Sequence, residues 1–117
     1  MEPVSSHEHS TRVTPAKLER AGREMRPHAA KAAELLKALG NEQRLMILCN
    51  LVGGPLSVGQ LNARVRLSQS ALSQHLGILR DTGVVATTRE SQSIIYSLPP
   101  GVATRIIALL YEEFCPS

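Results

Sequence analysis

The sequence predicts a mainly α-helical domain that carries one small β-hairpin. Three observations lead there. The stretch from Arg66 to Gly83 reads as a helix with two unlike sides. A short, well-capped helix precedes it across a tight turn. After Gly83 the pattern changes from helical spacing to strand alternation. Two short helices joined by a tight turn and followed by a hairpin make a winged helix-turn-helix.

The Arg66–Gly83 stretch organises the rest. Leu72, Leu76 and Leu79 fall at helical spacing and form an apolar stripe. Ser68, Gln69, Ser70, Ser73, Gln74 and His75 crowd the other side and its N-terminal end. A solvated face usually carries Lys and Glu. Hydroxyls, amides and an imidazole instead donate and accept hydrogen bonds without bringing charge. They suit base edges and phosphate oxygens in a major groove, although a polar-faced structural helix is the plainer alternative. Ser68 is a good N-cap, Leu67 and Leu72 stand at hydrophobic-staple positions, and Gly83 suits a C-terminal stop.

The 117 residues suit one domain, with residues 1–14 as a disordered tail and 15–117 as the folded part. Hydrophobic residues make up 43% of the chain, enough for a modest core. Aromatics are scarce, so aliphatic side chains must pack it. A net charge of +3 is compatible with nucleic acid but does not imply it. Neither an apolar leader nor a membrane-length apolar run is visible, so a cytoplasmic protein is expected.

Along the chain, Ala16–Met25 reads as a short helix stopped by Pro27. Ala29–Leu39 is a firmer helix, with Ala29, Ala32, Ala33, Leu36 and Leu39 on one face. Asn41 caps the next, which runs to about Val52 with Leu45, Leu48, Cys49 and Val52 as a stripe. Met46, Ile47 and Leu51 cover much of its remaining surface, so this helix belongs in the core. Ser57 and Gln60 form a capping box for a third helix that buries Val58, Leu61 and Val65. Val84–Thr88 and Ile94–Leu98 read as strands, with Arg89–Ser93 as the turn between them. Arg89 and Gln92 near that tip, and Arg64 and Arg66 before the polar-faced helix, are candidate phosphate or groove contacts or ordinary solvated residues. The last helix, about Val102 to Phe114, has a broad apolar face. That face, with the Ala29–Leu39 helix, is the expected homodimer surface.

The order of these elements resembles the ArsR family of bacterial winged-helix repressors. The resemblance rests on L-K-A-L-G-N-E-Q-R-L-M-I-L, S-V-G-Q-L, L-S-Q-S-A-L-S-Q-H-L-G-I-L-R-D-T-G-V-V and a hairpin ending I-I-Y-S-L. It covers roughly residues 29–114. It implies a homodimer on a palindromic double-stranded operator, with the Gln69–His75 helix in the major groove. Many members sense metals. The cysteine motif of one metal class is replaced here by Leu56-Ser57-Val58-Gly59-Gln60-Leu61. The last helix offers only Glu112 and Glu113 where another class has Asp and His pairs. A metal-responsive repressor is therefore the secondary expectation, and no metal site or cofactor is assigned. His7 and His9 alone are weak metal ligands.

The two cysteines, Cys49 and Cys115, resemble in placement the pair of the sulfide- and persulfide-responsive branch of that family, the BigR, SqrR and HlyU type. That resemblance implies a repressor switched when reactive sulfur donors crosslink Cys49 to Cys115 by a disulfide or polysulfide. Read without it, Cys49 is a small buried hydrophobe and Cys115 an incidental terminal thiol. An enzyme is not expected: there is no phosphate-binding glycine loop, closed metal motif or pocket-like carboxylate pair.

Overall fold

The computed structural model describes residues 14–115. These fall into two compact units, one ending at Ala32 and one beginning at Ala33. The expected tail, with His7 and His9, lies outside the described residues except for Thr14.

In the first unit, α1 (Pro15–Met25) starts where the Thr14 hydroxyl accepts the Lys17 backbone N–H at 3.1 Å. Proline is tolerated in the first helical turn, where its missing N–H has no helical partner. None of the side chains of α1 is buried. The α-helix ends at Met25, just ahead of Pro27 as the sequence suggests, but the chain does not leave helical geometry. Residues Arg26–His28 form a 3₁₀ turn instead, and α2 (Ala29–Leu39) continues directly from it. The Ala29 N–H bonds to the Arg26 carbonyl, a tighter spacing that carries the backbone past the proline ring.

In the second unit, the last turn of α2 buries Ala38 and Leu39, with Leu35 packed against the same core. The stripe expected on this helix is only partly inward. Leu36 is 57% exposed, and Ala33 is exposed as well.

Asn41 caps α3 (Glu42–Leu51) by accepting the Arg44 N–H at 3.0 Å. The helix is central, as expected, but its inward face differs from the expected stripe. Ile47, Leu48 and Leu51 are buried, Leu45 and Cys49 are half-buried, and Val52 is exposed. A helix apolar almost all round has no period to select a face. Its neighbours decide instead.

A two-residue strand, β1 (Leu56–Ser57), was not legible in the sequence because two residues cannot show alternation. Ser57 then caps α4 (Val58–Arg64). Its hydroxyl accepts the Gln60 N–H at 3.1 Å, and the Gln60 side chain accepts the Ser57 N–H at 2.8 Å. Leu61 and Val65 are buried.

After a four-residue turn comes α5 (Gln69–Asp81), capped by the Ser68 hydroxyl on the Ala71 N–H at 3.1 Å. Leu72, Leu76 and Leu79 form the buried stripe, as expected. The helix ends at Gly83, which has φ +74°. There the Gly83 N–H reaches the Arg80 carbonyl at 3.0 Å and the Val84 N–H reaches the Leu79 carbonyl at 2.9 Å. These two bonds make a Schellman motif.

Val84 and Val85 are buried anchors that precede the first hairpin strand. The hairpin pairs β2 (Ala86–Glu90) with β3 (Ser93–Ser97), and β1 adds to the other edge of β3 in the order β1-β3-β2. The turn is tighter than expected. Glu90 pairs with Ser93, so only Ser91 and Gln92 are unpaired, and Arg89 sits within the ladder opposite Ile94. Ser91 adopts φ 56°, and positive φ is what lets a two-residue loop match the strand twist. Finally α6 (Val102–Phe114) buries Ala103 and Ile107. Val102, Leu109 and Phe114 on the same helix are exposed. Among the described residues no helix is long and apolar enough to cross a membrane.

Candidate nucleic-acid interface and thiol pocket

The buried leucines of α5 fix which of its residues face outward. Ser68, Gln69, Ser70, Ser73 and Gln74 are all exposed. The Ser68 hydroxyl is already engaged as the cap, and it lies 3.4 Å from the Ser70 hydroxyl. The outer face therefore presents amide and hydroxyl groups next to the positive end of a helix dipole, a setting that favours anionic oxygens.

His75 differs from the others. It is half-buried, and its Nδ1 lies 3.3 Å from the Arg44 guanidinium. Arg44 also donates to the Ala38 carbonyl at 2.7 Å and the Lys37 carbonyl at 3.0 Å. Sequence reading gave Arg44 no role. Its one available signal was being the sole cation on a helix that is mostly apolar after its first turn.

The hairpin is tied to α5 by a second arginine that sequence reading missed. Arg80 donates to the buried Tyr96 hydroxyl at 2.8 Å. Tyr96 lies in β3, so this bond sets the wing against the polar-faced helix. Arg89 and Gln92 are exposed on the wing, and Arg64 and Arg66 are exposed just before α5. Arg64 and Arg66 border one pocket with Gln43, Met46 and Val65.

Away from this face, Cys49 on α3 and Cys115 at the end of α6 line the same cavity of about 190 Å³. Leu45, Ile107, Leu110, Tyr111 and Phe114 complete it, and both cysteines are free thiols. Burial pushes the Cys49 thiol pKa up, and the nearby charge of an ionised Cys115 pushes it the same way. Cys49 is half-buried and Cys115 exposed. Among the described residues, no three His, Cys, Asp or Glu side chains gather as a metal site would require.

Residues 41–87, which span α3 through the start of the wing, match the model of the bacterial regulatory protein ArsR family. The transcriptional activator HlyU of Vibrio cholerae is 50% identical over 92 residues, covering 79% of this chain and 85% of that protein. The chain belongs to the ArsR family. This ArsR-family regulator is also 45% identical over 91 residues to the biofilm growth-associated repressor of Agrobacterium fabrum, covering 78% of each. The structure of reduced HlyU from Vibrio cholerae superposes with a TM-score of 0.74 at 49% identity, covering 80% of this chain and 98% of that one. The homodimeric winged helix-turn-helix DNA-binding domain of a possible ArsR-family regulator from Mycobacterium bovis gives 0.67 at 27% identity, covering 72% and 78%. The regulator is thus a winged helix-turn-helix transcription factor, and its relatives are regulators rather than enzymes.

Proposed function

We propose that this regulator is a cytoplasmic homodimeric repressor whose grip on a palindromic operator is released when reactive sulfur links Cys49 to Cys115. The observation that carries the reading is the shared cavity: two thiols from different helices open into one apolar space. Tail and surface thiols scattered at random would not meet in this way.

The chemistry is sulfur transfer between thiols. A thiolate attacks the outer sulfur of a persulfide donor, R–S–SH, and releases the thiol R–SH, leaving Cys–S–SH. Attack of the second thiol on the inner sulfur of that persulfide forms Cys–S–S–Cys and releases H₂S. If both cysteines carry persulfides, their reaction gives Cys–S–S–S–Cys and H₂S. The longer bridge spans a wider gap than a disulfide, whose Cα atoms must lie within about 7 Å.

On the DNA side, Ser68, Gln69, Ser70, Ser73, Gln74 and His75 would enter the major groove. Arg64 and Arg66 would hold the backbone, and Arg89 and Gln92 would reach it from the wing. The exposed apolar residues of α2 and α6, Leu36 and Leu109 among them, supply a surface for a second copy. Half-sites lie about 34–36 Å apart, so tying α3 to α6 needs to move the two reading helices only a few Å to lose affinity.

The test combines mass spectrometry and gel shift on one sample. Reduced protein is treated with a persulfide donor, and separately with peroxide. A Cys49–Cys115 link with extra sulfur, formed together with DNA release, is the expected result. DNA release with both cysteines unmodified ends the proposal.

A further inference from the structure

We propose that Arg44 is a positioning residue for His75, fixing its imidazole as a hydrogen-bond donor toward DNA. A guanidinium has five N–H donors and no acceptor. Its Nη1 lies 3.3 Å from His75 Nδ1, so the bond exists only if Nδ1 holds a lone pair. In the neutral ring the proton then sits on Nε2, across the ring from Arg44.

Arg44 has reasons of its own to be there. Its Nε donates to the Ala38 carbonyl at 2.7 Å and its Nη2 to the Lys37 carbonyl at 3.0 Å, in the last turn of α2. At this helix end the Lys37 carbonyl has only a long, shared bond from the Gly40 N–H at 3.3 Å, and a cation is favoured at the negative end of the helix dipole. The backbone N–H of Arg44 is held by the Asn41 side chain at 3.0 Å. With the fork anchored on two carbonyls, the direction of Nη1 is set. The imidazole therefore meets a fixed donor rather than a mobile one.

The consequence concerns specificity. A free histidine exchanges tautomers and can donate or accept. His75 held by Arg44 offers N–H only. It would match the guanine N7 and O6, the adenine N7, the thymine O4 or a phosphate oxygen, and oppose the amino groups of cytosine and adenine. The DNA half of this inference rests on α5 docking in the groove; the tautomer half does not.

Long-range ¹H–¹⁵N NMR of the full chain tests the tautomer directly, at a pH above the ordinary imidazole range. The chain has four histidines, and comparison with His75→Gln assigns the signal. The expected spectrum shows His75 Nδ1 unprotonated and Nε2 protonated as two distinct signals. In Arg44→Met and Arg44→Lys they should collapse toward the average of two exchanging tautomers. A protonated Nδ1 in the parent protein, or a pair unchanged by both substitutions, overturns the proposal.

Binding to a palindromic duplex selected by the parent protein from a random pool tests the rest. His75→Ala and Arg44→Met should each weaken binding about tenfold, and the double variant no further. If His75→Ala weakens binding while folded, dimeric Arg44→Met binds normally, the positioning role is overturned and groove docking stands. If neither weakens binding, the docking of His75 itself is overturned, and the DNA half goes with it.

Discussion

Gly83→Ala isolates the energetic cost of the junction between α5 and the wing. Gly83 holds φ +74°, and a Cβ built there would meet nothing within 4 Å. The penalty is therefore local to the backbone, with no clash against the rest of the fold. An L-residue in the left-handed region costs about 1–2 kcal/mol. Alanine recovers part of that, on the order of 0.5 kcal/mol, by restricting the unfolded chain. The net expected loss is about 1 kcal/mol, or a fall in melting temperature of roughly 4–8 °C for a domain near 100 residues. Gly83→Asn should lose less, because Asn tolerates this region better. Thermal melts at one fixed protein concentration measure both, since any dimer makes the midpoint concentration-dependent. If alanine matches glycine, or asparagine is worse than alanine, the left-handed stop of α5 is not what terminates the helix.

Leu76→Ala, at a fully buried position of the α5 stripe, should cost about 2–5 kcal/mol in denaturant titrations. Tyr96→Phe removes the acceptor of Arg80 and should cost about 1 kcal/mol in the same assay; no change would mean that this bond does not hold the wing. Gln74→Ala, on the exposed face of α5, should weaken operator binding by about 1–3 kcal/mol while the sedimentation of the protein is unchanged. Because burial, then the charge of Cys115, raises the pKa of Cys49, its alkylation rate should still be climbing at pH values where an ordinary exposed thiol has levelled off. Cys115→Ser removes the second cause and should move that profile toward lower pH, read by mass spectrometry of each thiol; a profile that stays put would exclude the charge contribution.

The elements whose residues state their own geometry were legible in the chain. Ser57 and Gln60, Asn41, Ser68 and Gly83 act locally, through side-chain caps or a backbone preference, so they mark helix ends wherever the rest of the fold lies. The leucine stripe of α5 likewise comes from helical period, and it left the polar residues facing outward.

Tertiary packing decided what local preference could not. With apolar residues spread around α3, several faces could turn inward, and packing buried Ile47 and Leu51 beside the expected Leu48 while leaving Cys49 half-buried and Val52 exposed. β1 exists only because Tyr96 and Ile95 lie beside it. Arg44 reaches His75, 31 residues away, through contacts that no spacing encodes. The same holds for the two thiols. Their residue types were plain in the chain, but a common cavity requires α3 and α6 to pack side by side. Caps and periods are short-range interactions written in consecutive residues; a shared pocket is long-range, and only the folded chain brings its walls together.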